Sequence, residues 1–492
     1  MTLSRSARLF FVLAAFALFI VACGPQDATE EAVEEEATEM VEEATEEAME
    51  MEEEATEEAM EEATEEAMEE DMDEEADADA DAEAASVIDR TEPIESLCLV
   101  TDLGRVNDGT FNQYAHEGAT SVSEDFELEY NFIETVSEAD YEANIQSCID
   151  DGADSVVTVG FLIQDATVAA AIANPDVFFV GVDQFLADGP ANMIGLQFRE
   201  DQAGFLVGVL AALVANEAGE ETIGGVYGID VPAVKRFRNG YEQGALYVNP
   251  EWEVGTNILG AYADSFLDQA QGISLANQFI GEGATILFGA GGPLGSAAIA
   301  EAASQGLYVI GVDQDEYLTT FASGETEGAE FLISSATKRV DQGVYDAISF
   351  LADADFDTWN EFGGGNYLLD AELEGVGFAP FNDSEATLTE NLGEGVPASL
   401  TTEVEAALGL LIDGCISTNV DPVSGDLMSE EAMAEFMPAD GCDMMDDMGD
   451  EAMDDESEED MGEEEESSDE DMDDESEEED MGEEESEEEG DE

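Results

Sequence analysis

Positive charge is what this sequence has least of. Two lysines, Lys235 and Lys338, eight arginines and the single His116 stand against 126 Asp and Glu in 492 residues, a formal charge of -116. Such a chain repels nucleic acid and anionic lipid surfaces, and it has no basic patch to follow a phosphate backbone. One histidine cannot seed a histidine-rich metal centre, and the five cysteines show no CxxC or Cys/His spacing, so neither zinc nor any other metal or cofactor is expected. Phosphate-loop signatures are missing as well. The glycine-rich GAGGPLG at 289–295 lacks the lysine and hydroxyl of a P-loop and does not follow GxGxxG.

What is present falls into three compositional zones. The first is MTLSRSARLFFVLAAFALFIVACGP, with Arg5 and Arg8 before an apolar run from Leu9 to Val21. This reads as a signal peptide over residues 1–22. Ile20-Val21-Ala22-Cys23 resembles a bacterial lipobox, so Cys23 is the expected lipidation site, fixing the chain to the outer face of the cell membrane. Residues 24–86 then carry 31 Asp and Glu in EEATEEAM-like units, and residues 443–492 carry 33. Unrelieved like charge opposes compaction, so residues 23–90 read as an acidic disordered tether and 441–492 as an acidic disordered tail. The remaining 62 acids lie between them, in about 350 residues, enough for a substantial core.

That middle follows a regular grammar. Apolar runs at 98–101, 128–132, 155–159, 177–182 and 192–198 alternate with helix-like segments, and the pattern restarts at 223–227, 257–261, 284–288 and 308–312. Alternating strands and helices predict two α/β units with parallel sheets. In such sheets ligands bind beyond the carboxyl ends of the strands. The stretch LCLVTDLGRVNDGTFNQYAHEGA, 97–119, reads as strand, loop and helix, and its Asp102, Asn107, Asp108, Phe111 and Asn112 suit a polar planar ligand. Gly160, Asp183 and Asp313 end other strands, and the glycines from 289 to 292 can let backbone approach a ligand closely. Lys338 draws notice through scarcity, because a cation kept in so acidic a chain is often the partner of a buried carboxylate or a ligand. The four cysteines other than Cys23 allow three pairings. Cys415 with Cys442 would close a loop at the end of the folded part, whereas Cys98 and Cys148 read as small packed hydrophobes.

Taken in order, VTDLGRVNDGTFNQYAHEG, GVD at 181–183, YGIDVPAVKRFRNGYEQGA, AYADSFLDQAQG, GAGGPLGS, GVDQDEY, SATKRVDQGVYDAI and GVGFAPFN resemble the basic membrane protein family of bacterial lipoproteins over about 94–382. The resemblance implies a type I periplasmic-binding-protein fold, with two Rossmann-like lobes joined by a three-strand hinge. Lobe 1 would take residues 91–198 and 314–365, lobe 2 residues 199–313 and 366–440, with crossings near 196–200, 313–317 and 366–376. It also implies a substrate-binding component of an ABC importer, not an enzyme, with permease and ATPase subunits as partners and a purine nucleoside as ligand. The implied binding residues are Asp102, Asn107, Phe111, Asn112, Gly160, Asp183, Phe266, Gly291, Asp313 and Lys338. Phe266 is the expected second stacking ring, and Phe237 the weaker candidate. Two other readings share the same residues: a sensor or adhesion lipoprotein of this fold, and a nucleoside-cleaving enzyme.

Overall fold

The computed structural model describes residues 88–429 continuously, with 432–433, 436–438 and 442. The signal peptide, Cys23, nearly all of the tether and nearly all of the tail lie outside the described residues. In chain order the described part runs β1 (Ser96–Leu103), α1 (Phe111–Asp125), β2 (Glu129–Thr135), α2 (Tyr141–Asp150), β3 (Ser155–Val159), α3 (Gln164–Ala173), β4 (Phe178–Val182), β5 (Met193–Phe198) and α4 (Glu200–Ala218). It continues with β6 (Ile223–Tyr227), α5 (Pro232–Val248), β7 (Ile258–Tyr262), α6 (Gln269–Glu282), β8 (Ile286–Ala290), α7 (Gly292–Ser304), β9 (Tyr308–Asp313) and β10 (Leu332–Lys338). Last come α8 (Val340–Ala352), α9 (Phe356–Phe362), β11 (Asn366–Leu369), β12 (Val376–Phe378), α10 (Ser384–Leu392) and α11 (Val396–Ile412).

Two six-stranded sheets result, ordered β11-β5-β4-β3-β1-β2 and β12-β10-β9-β8-β6-β7. Every pairing is parallel except β10 with β12. The central strands β3 and β4 are buried at every residue, as continuous apolar runs require when helices cover both faces. Edge strand β2, by contrast, is largely open. This is the expected type I periplasmic-binding-protein fold.

Register decides where the strand ends fall. Val100 pairs with Thr158 and Thr158 with Gly181, so two residues further on Asp102, Gly160 and Asp183 stand side by side. In the second sheet Phe288 pairs with Ile310 and Asp313 with Thr337, which brings Gly291 level with Asp313 and sets Lys338 one residue beyond them.

The lobe boundaries differ from expectation at two places. The sequence-based expectation places residues 314–338 in lobe 1, yet β10 pairs with β9 from Leu332 to Thr337, inside the second sheet. It places residues 366–369 in lobe 2, yet β11 pairs with β5 in the first. The middle crossing therefore falls at Lys338–Val340, after which α8 packs on the first lobe: Tyr345 donates to Asp125 at 2.9 Å, and Ile94 N–H to Leu351 O at 3.2 Å. A strand end followed by a polar loop looks the same whether the chain crosses or returns beside its neighbour. At two of the crossings an arginine forks onto an aspartate two residues on, Arg199 onto Asp201 and Arg339 onto Asp341.

Both cysteine pairs are bonded, Cys98–Cys148 as well as Cys415–Cys442. Cys98 and Cys148 are thus more than packed hydrophobes. Their burial hid the pairing from sequence, since a strand and its covering helix meet only in the fold.

Helices α4 and α5 meet backbone to backbone. A Cβ on Gly208 would collide with Tyr241 O, and one on Gly244 with Phe205 O. Gly208→Val should therefore lower the urea unfolding midpoint, costing about 1–3 kcal/mol through overpacking. Gly281→Ala, whose Cβ meets nothing within 4 Å, should leave the midpoint unchanged or slightly raised. Equal midpoints for the two variants would refute the close-contact account.

Candidate functional site

The facing carboxyl ends of the two sheets enclose a cavity of about 710 Å³ of atom-free space, its mouth included. From the first lobe it is lined by Asp102, Asp108, Phe111, Asn112, Gly160, Phe161 and Asp183, and from the second by Phe237, Phe266, Gly291, Asp313 and Lys338 among others. Nine of the ten residues implied by the resemblance come together here. Asn107 does not: it is exposed and lines a separate crevice with Gln113, Ser296 and Thr319. Its neighbour Asp108 lines the cavity instead, because the loop turns it inward as a helix cap, accepting from Thr110 N, Asn112 N and Gln113 N at 3.0–3.1 Å.

Each acid is held differently. Asp102 accepts from the Tyr141 hydroxyl and, at 2.7 Å, from Leu103 N–H. Burial pushes its carboxyl up to about 6 against those two bonds. Gly160, at φ +95°, stands so close that any Cβ would collide with the Asp102 carboxylate. Asp183 and Asp313 both take left-handed backbone, φ 61° and 65°, which turns each side chain off its strand end into the cleft. Asp183 Oδ2 meets Lys338 Nζ at 2.7 Å, while its Oδ1 is buried without a hydrogen-bond partner among the described residues. Burial raises the Asp183 pKa against the pull of Lys338. Burial likewise pushes Asp313 up to about 7, again opposed by Lys338.

Lys338 is the pivot of this arrangement. Its ammonium also contacts Glu200 Oε1 at 2.8 Å and lies 4.8 Å from the centre of the Phe111 ring. Burial alone would lower its pKa, but Asp183, Glu200 and Asp313 outweigh that and hold it above the usual lysine value. Glu200 in turn accepts from Arg236 Nε, completing a buried chain of two acids and two cations. Sequence reasoning missed Glu200 and Arg236. Glu200 reads as an ordinary acid opening a helix, while the scarcity argument applied to Lys338 would equally have found Arg236. Seven of the eight cations among the described residues are in ion pairs. Between the lobes, Gln314 Nε2 donates to Thr110 O at 3.0 Å across the mouth.

The rings divide by exposure. Phe111 and Phe266 line the cavity half-buried from opposite lobes, whereas Phe237, which also reaches its wall, is buried and packs edge-on against Phe288 with centroids 6.2 Å apart.

Two parallel-sheet lobes, crossed three times by the chain and meeting around a largely apolar cavity that carries a few acids and one lysine at the strand ends, define a solute-binding protein of the ABC-transporter type. The solute-binding protein of an ABC transporter system from Aeropyrum pernix is similar at 26% identity and a TM-score of 0.55, over 66% of this chain and 93% of that one. The family described as ABC transporter substrate-binding protein PnrA-like matches residues 96–394, and the chain belongs to that family. It is 32% identical to the ABC transporter nucleoside-binding protein BmpA of Lactococcus lactis, over 52% of this chain and 75% of that protein. It is 31% identical to Basic membrane protein A of Borreliella burgdorferi, over 58% of this chain and 78% of that protein. Membership makes this an extracytoplasmic, membrane-associated substrate-binding protein that takes a small molecule and works with permease and ATPase subunits.

The buried acids give a pH signature. A carboxyl whose folded pKa is raised contributes stability below its unfolded pKa and loses it as pH rises through the folded value. For Asp313 that loss falls between about pH 4 and the folded value of about 7. Asp313→Asn cannot ionise, so its melting temperature relative to the parent should be higher at pH 8 than at pH 5. Parallel pH profiles for the two proteins would show that Asp313 carries no such strain.

Proposed function

We propose that the protein captures a purine nucleoside between its lobes and hands it to an ABC importer, from a position tethered to the outer membrane face through lipidated Cys23. The observation that carries the reading is the pairing, around one cavity between the lobes, of two half-buried rings with three acids that line it. Phe111 and Phe266 would sandwich the base. Asp102, Asp183 and Asp313, helped by Asn112, would take hydrogen bonds from ribose hydroxyls and the base edge, since a carboxylate accepts two from adjacent donors. The unpartnered Asp183 Oδ1 is an acceptor ready for such a donor. Gly160 and Gly291 let the backbone approach the ligand, and Lys338 fixes Asp183 while covering the Phe111 ring. The nucleoside-binding relative supports the choice of ligand class.

The same acids set selectivity. A neutral nucleoside meets no charge penalty, whereas a nucleotide brings phosphate into a cleft of carboxylates. In calorimetric titration, adenosine, inosine or guanosine should bind and the matching monophosphate should bind far more weakly. Phe111→Ala should cost about 1–3 kcal/mol, roughly five- to 150-fold in Kd. AMP binding as tightly as adenosine, or a Phe111→Ala variant of unchanged affinity, would overturn the reading.

A further inference from the structure

Beyond the family-matched residues 96–394, the chain lays a strap from Thr418 to Leu427 across the start of α4 and α5. Its contacts are polar and specific. Thr418 donates its hydroxyl to buried Asp201, Asn419 Nδ2 donates to Gln243 Oε1 at 3.1 Å, and Asn239 Nδ2 donates to Gly425 O at 2.6 Å. The Pro422 and Val423 carbonyls accept from Arg236 Nη1 at 3.2 and 3.0 Å. Arg236 is 1% exposed, and it lies one link from Glu200 and two from Lys338.

We infer that Arg236 is a positioning residue for the ligand cavity, and that the strap of residues 418–427 fixes it so that Glu200 holds Lys338 against Asp183. The inference rests on reading the cavity as the ligand site. A buried guanidinium needs acceptors for its several N–H groups. Glu200 supplies one side and the strap supplies two carbonyls. Without them Arg236 would turn toward water and leave Glu200 with Lys338 alone, drawing the ammonium away from Asp183. Glu200 and Lys338 sit at the first two lobe crossings, so the strap also sets how firmly the hinge is ordered. The groups facing Asp183 are Lys338, Glu200 and Arg236 from the second lobe side, with the acids Asp102 and Asp313 nearby.

The test uses the full chain with three variants: Arg236→Gln, Arg236→Lys and Gly425→Val. Gly425 is at φ +77° and does not line the cavity, and a Cβ there would lie 2.5 Å from Pro232 O and 3.0 Å from Arg236 N, so the valine strains the strap where it meets Arg236. Inosine affinity is measured by calorimetry across about pH 5.5 to 8.5, and hydrogen exchange is followed in the ligand-free proteins. Arg236→Gln and Gly425→Val should each weaken inosine binding about tenfold. Both should move the acidic limb of the binding profile to higher pH, because Asp183 loses part of its cationic support. Arg236→Lys should recover part of both effects. In the ligand-free proteins, exchange should quicken in residues 196–202 and 336–342 and stay unchanged in β6 and β8. Unchanged hinge exchange would overturn the inference, as would faster exchange spread evenly through the second sheet or an affinity loss with an unmoved pH profile. Should the parent protein bind no nucleoside, the nucleoside reading falls and hinge exchange alone decides the role of the strap. If Arg236→Gln fails to fold, Gly425→Val carries the same comparison.

Discussion

The buried chain Asp183–Lys338–Glu200–Arg236 is the constraint on which the rest of the structure depends. It ties a strand end of the first lobe to a strand end of the second, through the helix that begins at the first crossing. Such a cluster adds little net stability, because desolvating four charges cancels much of their attraction. Breaking it is another matter, since any one member removed leaves an uncompensated charge in the interior. The cluster thus acts by permitting few alternatives: the lobes meet where the charges balance. Burial would push Glu200 toward neutrality, yet Arg236 and Lys338 outweigh it and hold its carboxyl below its usual pKa.

Around this pivot the two lobes repeat one solution. GVDQ occurs at 181–184 and again at 311–314, and in both places the aspartate turns left-handed at a strand end. The glutamines then diverge. Gln184 stays within its own lobe, donating to Thr158 Oγ1 at 2.9 Å and Gly160 O at 3.1 Å, while Gln314 reaches over to Thr110. Repetition builds the walls of the cavity, and divergence of the second glutamine gives the mouth a contact between lobes. The price of holding three acids there is desolvation, visible in the raised values of Asp102 and Asp313. In the proposed capture of a nucleoside, ligand hydrogen-bond donors would offset that cost.

How much of this can be read without coordinates depends on the range of the interaction. Alternating apolar runs and polar strand ends made the two α/β units, and the positions of Asp102, Gly160, Asp183 and Asp313, legible directly, because strand period and loop chemistry are local. Scarcity of cations marked Lys338, and family resemblance added Phe266. The lobe boundary at 314–338, the bond between Cys98 and Cys148, and which of Asn107 and Asp108 reaches the cavity wall were not legible. Each depends on which segment lies beside which, and sequence carries no local mark of that.

The sequence by itself therefore determined the class of fold, the strand-end acids and the scarcity of cations that made Lys338 conspicuous. The tertiary structure alone decided that Lys338 shares its charge between Asp183 and Glu200, that Arg236 completes the chain, and that a strap near residue 422 holds Arg236 in place. Those partners lie up to 187 positions apart. They are found only when two sheets close on each other and burial forces every remaining charge to seek a partner.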